Sequence, residues 1–409
     1  MLTRRSVLLA TSALALLALP GRGFAAEQVV KIGIDASLTG GDAQSALLVK
    51  NGAVLAIEEA NANKAVPGVK FEAMVLDDGT ATAGQYDPAQ GAINARKMVA
   101  DHAVVAAVGP QMSGVGKAMA PILSWGDLAT ITPSSTNPDL TDPKFAQQYR
   151  PAGKPIYFRT VATDAYQGPN MANYFADTLK VKSVFVLDDT GAYGEGLANA
   201  FQAQAAKKGI KVLGRDKLDP KAADYSAVLT KIKQLNPQAL YYGGVLQAGV
   251  KLVKQSYDIL PGVVKAGGDG LSGPEMLTGA GFPAAEGWYT TNASPHVTED
   301  PAIQDWVARY KAKFNLLPDD YAVTAYDATL VIIDAVKRVA ATGKPVTRAA
   351  VRDAIQTAKV KTLQGTVSFD ANGDIEDRVI AIFQVHKNDK YPLDDIIHQF
   401  RYVGVAPQA

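Results

Sequence analysis

Short apolar runs and longer amphipathic stretches alternate along most of the chain. Residues 28–36, QVVKIGIDA, predict a strand, and residues 43–62 place Val49, Ala53 and Ile57 on one face of a predicted helix. The alternation predicts further strands at residues 71–78, 104–108, 129–132, 183–187, 210–214, 239–243, 263–266, 288–291, 366–369 and 378–386. It predicts further helices at residues 89–102, 113–123, 195–208, 225–235, 248–259, 301–314, 321–341 and 347–357.

Strands that alternate with helices in this way are typical of parallel sheets covered by helices on both faces. Two such series occur, separated by an irregular segment at residues 144–162. The sequence therefore predicts an α/β fold with two doubly wound parallel-sheet lobes. The tail after residue 288 has too few strands for a sheet of its own, so we expect its segments to complete both lobes. The chain then crosses between the lobes more than once, which is compatible with a hinge.

The first 26 residues have the pattern of a secretory signal peptide. Arg4 and Arg5 precede an uncharged run at residues 7–19, and small residues, among them Gly23 and Ala25, follow it. The run is shorter than the roughly 20 residues that span a bilayer. We expect cleavage of residues 1–25 near Ala25 or Ala26. The paired arginines fit both an ordinary Sec signal and a twin-arginine signal, so both export routes stay open.

Charge and composition exclude several classes of protein. The chain of 409 residues has 41 basic and 40 acidic residues, and the predicted signal peptide carries three of the arginines and no acid. The mature chain is thus mildly acidic, which argues against a nucleic-acid binder. The absence of cysteine excludes disulfides, thiol nucleophiles and the lipid-attachment cysteine of lipoproteins. These features predict a freely diffusing protein of the periplasm.

The sequence has no convincing catalytic or cofactor motif. Residues 109–118, GPQMSGVGKA, follow a strand and open a helix, but six residues separate the first glycine from Gly-Lys and Ala118 follows, which breaks the phosphate-loop pattern. Backbone N–H groups and a hydroxyl there still suit a small anion, although a plain strand-to-helix turn is the alternative. Residues 191–196 reverse the dinucleotide glycine order, and the four histidines lack metal-ligand spacing. We expect no enzyme activity, no cofactor and no metal.

Polar side chains are concentrated where the predicted strands end. Ligands of parallel sheets bind at the carboxyl ends of the strands, so two facing lobes would form a cleft between them. The absence of a catalytic set in such a cleft favours a protein that captures a small molecule.

Four motifs occur in an order that resembles the leucine/isoleucine/valine-binding protein family. They are ITPSSTNPDLT at residues 131–141, YGEG at 193–196, YYGG at 241–244 and GGDG at 267–270. The resemblance covers the predicted mature chain. It implies a type I periplasmic binding fold, in which two lobes joined by three crossovers close on an amino acid and deliver it to the permease subunits of an ABC transporter.

The resemblance also implies bounds for the lobes. Residues 27–162 plus 293–377 would form the N-terminal lobe, and residues 163–292 plus 378–409 the C-terminal lobe, after the signal peptide at residues 1–25.

The family's ligand contacts match five residues. The resemblance implies that Ser113 and Thr136 bind the ligand α-carboxylate, that the Ser134 carbonyl and Asp269 bind the α-ammonium, and that Tyr193 joins them from the second lobe. Each of these assignments has a structural alternative. Residues 134–137 also fit an ST-turn, Asp269 also fits a turn position, and Tyr193 also fits ordinary packing on the surface of its lobe.

The sequence departs from the leucine-binding pattern where the ligand side chain would lie. Ser45 stands near the place of an aromatic residue, Val245 replaces a tyrosine, and Gln111 and Met112 replace an apolar residue and a half-cystine. These differences predict a less aromatic and wider or more polar pocket. Tyr326 is near the family's later aromatic contact, with a role in the helix core as the alternative.

We therefore expect a monomeric periplasmic solute-binding protein for an ABC importer, with branched-chain amino acids as first candidates and no nucleic-acid partner. The alternatives are a ligand-sensing module, a binding protein for amides, urea or aromatic acids, and a secreted enzyme.

Overall fold

The computed structural model describes residues 27–409, so the predicted signal peptide lies outside the described residues. The strands are β1 Gln28–Ala36, β2 Val69–Asp77, β3 Gly79–Thr80, β4 Gln85–Tyr86, β5 Val104–Val108, β6 Ala129–Thr132, β7 Tyr157–Arg159, β8 Ser183–Asp188, β9 Lys211–Lys217, β10 Ala239–Gly243, β11 Val264–Gly267, β12 Tyr289–Asn292, β13 Lys359–Thr362, β14 Gly365–Ser368, β15 Ala381–Val385 and β16 Phe400–Val405.

The helices are α1 Ala43–Ala62, α2 Pro88–Ala100, α3 Ser113–Trp125, α4 Ala146–Tyr149, α5 Asp164–Asp177, α6 Ala192–Lys207, α7 Ser226–Leu235, α8 Leu246–Ile259, α9 Gln304–Phe314, α10 Asp320–Ala341, α11 Arg348–Gln356 and α12 Ile396–Gln399. Within residues 27–409, no helix combines the length and the apolar composition needed to cross a bilayer.

Two large sheets organise the chain. The first, in the order β2-β1-β5-β6-β7, is parallel throughout and is the sheet of the N-terminal lobe. The second, in the order β16-β15-β12-β11-β10-β8-β9, is the sheet of the C-terminal lobe. The predicted two-lobed α/β fold is confirmed. One detail differs, because β15 and β16 join the second sheet antiparallel.

The tail contributes to both lobes. Its long helix α10 packs along α1 of the N-terminal lobe, whereas β12, β15 and β16 extend the second sheet. Gly52 permits the close approach of the two helices, since a Cβ at this position would overlap the carbonyl oxygen of Ala322. The predicted strand at residues 366–369 belongs to neither large sheet, because β14 pairs with β13 in a separate hairpin. The exact lobe bounds remain a prediction.

Eight elements were not predicted: β3, β4, β7, β13, β16, α4, α5 and α12. Helix α5 contains Gly168 and Pro169, both poor helix formers, and it is stabilised by packing along α6. Strand β16 alternates poorly between buried and exposed positions and is defined by its pairing with β15.

Candidate functional site

A cavity lies between the two lobes at the carboxyl ends of their parallel strands. It contains about 460 Å³ of space free of protein atoms, including its opening to solvent. Its lining residues are Asp42, Ser45, Gln111, Met112, Ser113, Ser134, Tyr193, Val245, Leu246, Asp269, Gly270, Ser272 and Tyr321.

Eight of the nine predicted site residues line this cavity: Ser45, Gln111, Met112, Ser113, Ser134, Tyr193, Val245 and Asp269. The ninth, Thr136, is completely buried and is not part of the lining. Its hydroxyl has no hydrogen-bond partner in the described part of the chain. The ligand contacts assigned to these residues by resemblance stay predictions.

Asp269 is held at the cavity by two tyrosines from different lobes. Tyr193, near the start of α6, donates a hydrogen bond to Oδ1 over 2.5 Å, and Tyr321, near the start of α10, donates to Oδ2. Burial raises the pKa of Asp269 above its ordinary value, and the two hydrogen bonds oppose this shift. A cationic group beside the carboxylate would favour its ionised form. Asp269 is therefore suited to bind an ammonium group.

A second layer of polar groups supports Asp269. The Gln167 side-chain oxygen accepts hydrogen bonds from the Asp269 backbone N–H at 2.9 Å and from the Thr291 hydroxyl at 2.6 Å. The Gln167 amide nitrogen donates to Asp164 at 3.0 Å. Burial, together with the charge of Asp269, raises the pKa of Asp164 well above its ordinary value. Asp164 is not part of the cavity lining, so Asp269 is the acid of this cluster that faces the cavity.

Ser113 and Ser134 lie where two strand-to-helix loops meet. Ser113 is the first residue of α3, and its hydroxyl accepts a hydrogen bond from the backbone N–H of Asn137 at 3.2 Å. The Ser134 hydroxyl donates to the carbonyl of Gln111 at 3.1 Å. Hydroxyls beside the N-terminus of a helix suit a carboxylate, because the free N–H groups and the helix dipole favour negative charge.

Arg159, which the sequence analysis missed, fixes the loop that carries Ser134. Its guanidinium is fully buried and donates to the Ser135 carbonyl and the Thr141 hydroxyl, both at 2.7 Å. It also forms an ion pair with Asp374 at 2.7 Å. One side chain thus joins the loop that carries Ser134 to the turn that carries Asp374, more than 200 residues away in the sequence.

The two lobes are in direct contact around the cavity. The Asn137 amide donates to the carbonyl of Ala192 at 2.7 Å, and Glu275 accepts from the backbone N–H groups of Gln44 at 2.8 Å and Ser45 at 3.1 Å. Each of these hydrogen bonds joins a residue of the N-terminal lobe to a residue of the C-terminal lobe. The structure is therefore a closed arrangement of the lobes.

We expect Asn137→Ser to lower the affinity for the ligand severalfold. The shorter side chain loses the bond to Ala192, worth about 0.5–1.5 kcal/mol in the closed form. In the wild type, the Asn137 side chain caps the short helix that starts at Pro138 by accepting a hydrogen bond from the Asp139 N–H at 3.0 Å. The serine hydroxyl can still provide this cap. Calorimetry measures the affinity.

Asn137→Ala is the control variant, because it also loses the cap. It should show the same loss of affinity and, in addition, a lower Tm. Unchanged affinity in Asn137→Ser would contradict a role of Asn137 in closure.

Tyr326 does not reach the cavity. Its hydroxyl donates to Glu59 at 2.6 Å, and its ring packs edge-on against Trp306 with centroids 5.4 Å apart. The alternative role in the helix core, left open above, fits these contacts. The tyrosine of this helix that does reach the cavity is Tyr321, five residues earlier.

Comparison with known sequences decides the family. The sequence model described as periplasmic binding protein matches residues 29–390. The chain belongs to this family. A curated relative, Leu/Ile/Val-binding protein homolog 3 of Brucella melitensis, is 34% identical over 374 residues, which cover 91% of this chain and 96% of the relative.

Other comparisons agree with this periplasmic binding protein assignment. Leu/Ile/Val-binding protein BraC3 of Rhizobium johnstonii is 32% identical and covers 87% of this chain and 91% of its own length. The crystal structure of the leucine-binding protein LivK from Thermotoga maritima superposes with a TM-score of 0.79 at 25% identity, over 92% of this chain and 98% of LivK. The type I periplasmic binding fold and the membership in the leucine/isoleucine/valine-binding group, both predicted from the four motifs, are confirmed.

Proposed function

We propose that this protein captures an α-amino acid between its two lobes in the periplasm and delivers it to the permease subunits of an ABC importer. The observation that carries the proposal is the pairing of Asp269, a buried acid suited to an ammonium, with hydroxyl and N–H groups at the start of α3, in one cavity. A zwitterion requires both kinds of group. Branched-chain amino acids are the first candidates, because the curated relatives are named as Leu/Ile/Val-binding proteins.

The proposal includes the finer predictions on export and domain organisation. The mature chain would start near Ala25 or Ala26 after Sec or twin-arginine export, and it would act as a monomer with neither cofactor nor metal. The lobes would be joined by crossovers near residues 162–163, 292–293 and 377–378. Short connections of this kind permit hinge closure about a ligand. Among residues 27–409, no group of three or more potential metal-ligating side chains is found.

A thermal-shift panel of the purified mature protein tests the function. Free ligand at about 100 times its Kd should stabilise the folded state by about 2.7 kcal/mol, which raises Tm measurably. The panel contains the twenty amino acids, urea, small amides and aromatic acids. A shift with one or more α-amino acids supports the proposal. A shift with only an amide, urea or aromatic acid would overturn it, because such ligands lack the ammonium group that Asp269 is proposed to bind.

A sensory role would use the same cavity without a permease. Genes for the permease and ATPase subunits beside this one would support import, and a chemoreceptor gene in their place would favour sensing.

A further inference from the structure

Asp42 is a buried acid that faces the cavity without an adequate partner. It precedes α1, yet its side chain makes no capping bond to that helix. Only 1% of the residue is exposed. Its Oδ1 accepts one long hydrogen bond, 3.3 Å, from the Leu246 backbone N–H, and Oδ2 has no partner among the described residues. A buried carboxylate oxygen without a donor is energetically unfavourable.

Other polar atoms of the cavity lining also lack hydrogen-bond partners in the described part of the chain. Gln111 Oε1 and the Ser272 hydroxyl also line the cavity, and both lack a hydrogen-bond partner in residues 27–409. Glu275 lies beside Ser45 and has one unpartnered oxygen, Oε2. No lysine, arginine or histidine occurs among the lining residues that the structure describes. The cavity therefore contains Asp42, with the acid Glu275 near it, and no protein cation in its described lining to balance them.

Asp42 and Asp269 occupy different parts of the cavity. Burial, helped by the charges of Glu275, Asp189 and Asp78, raises the pKa of Asp42 to about 8, so a cation beside this acid is needed to keep it ionised at neutral pH. Asp269 instead lies with Tyr193, Tyr321 and Gln167. A ligand whose α-ammonium is bound by Asp269 would therefore extend its side chain toward a second acid.

We propose that the amino acid bound here has a cationic side chain, whose ammonium or guanidinium group donates hydrogen bonds to Asp42 Oδ2. This inference rests on the proposed function and replaces the branched-chain amino acids, its first candidates, with cationic ones. A cationic group supplies several donors and a compensating charge, whereas an aliphatic side chain would bury the Asp42 carboxylate against methyl groups. The polar replacements at Ser45 and Gln111 are consistent with this end of the cavity being built for a polar group.

Matched ligand pairs isolate the terminal cation. Lysine differs from norleucine only by its terminal ammonium, and ornithine differs from norvaline in the same way. The two pairs have side chains of different length, because the ligand must reach from Asp269 to Asp42. Calorimetry on the full mature protein measures each Kd. We expect the cationic member of at least one pair to bind tenfold or more tightly than its uncharged partner, because hydrogen bonds to charged groups contribute about 1.5–3 kcal/mol.

Asp42→Asn tests the residue itself. It keeps the size of the side chain and removes no capping bond, so the unliganded Tm should change little. We expect the preference for the cationic ligand to fall at least tenfold, with little change for the uncharged one. The matched control is Asp258→Asn, an exposed acid near the other end of α8, which removes the same charge and should leave the preference unchanged.

The outcomes separate this inference from the proposed function. Equal or tighter binding of norleucine and norvaline, or a preference unchanged in Asp42→Asn, would overturn the cationic side chain while leaving an amino-acid receptor. Tightest binding of glutamine or another neutral polar amino acid would do the same. If no α-amino acid binds at all, the proposed function itself fails.

Discussion

Asp269→Ala is expected to weaken amino-acid binding by about 1.5–3 kcal/mol, which corresponds to tenfold or more in Kd. The carboxylate would bind the α-ammonium of the ligand, and its removal leaves that cation in a closed cavity without its counter-charge. Calorimetry measures the change directly. The loss should extend to every amino acid that binds, since each has the same α-ammonium.

A second variant at this position separates charge from packing. Asp269→Asn keeps the size of the side chain and one oxygen that can accept from one of the two tyrosines, Tyr193 or Tyr321. Its amide NH2 lies opposite the other hydroxyl and can donate to it, so the fold around it should largely be retained. It removes the negative charge, and its affinity should therefore fall nearly as far as that of Asp269→Ala. Wild-type affinity in both variants would remove Asp269 from the ligand contacts.

The candidate site was predictable where its residues belong to local motifs. Ser113 opens a helix after a strand, Ser134 lies in a polar strand end, and Asp269 lies in a glycine-rich loop, so each is visible within a few residues of sequence. The structure brings these three together because the carboxyl ends of parallel strands meet at one edge of a sheet.

The missed residues depend on contacts between distant parts of the chain. Tyr321 reaches Asp269 across 52 positions, and Asp42 meets Leu246 across 204. No local periodicity distinguishes such side chains from helix-core or turn residues. Lobe closure decides their role, because it brings α1 and α10 of one lobe against loops of the other.

The fold follows the same division between local and distant effects. Strand β10 was predictable because four apolar or aromatic residues, at positions 239–242, follow one another, and the structure buries all of them. Helix α5 does not read as a helix, because Gly168 and Pro169 lower its intrinsic propensity. At Gly168 a Cβ would come within 2.8 Å of the Phe201 backbone nitrogen, so the glycine that weakens the helix locally also permits its packing on α6.

Arg159→Met is expected to lower the free energy of unfolding by about 3–5 kcal/mol, because two hydrogen bonds of the buried guanidinium and its ion pair with the partly exposed Asp374 are lost. Asp374 would lose its counter-charge, and the Ser135 carbonyl and the Thr141 hydroxyl would each lose a hydrogen bond. Urea unfolding monitored by circular dichroism measures the change. The ligand should also bind more weakly, because the loop that carries Ser134 is no longer held.

Replacing both members of the ion pair is the informative control for Arg159. In Arg159→Met with Asp374→Leu, no charge remains unpaired, so part of the lost stability should return. Ligand affinity should stay low in the double variant, because the hydrogen bond from Arg159 to the Ser135 carbonyl is still missing. If affinity recovered together with stability, Arg159 would act through the fold of the lobe alone. If binding stays weak although stability returns, Arg159 positions the loop that carries Ser134.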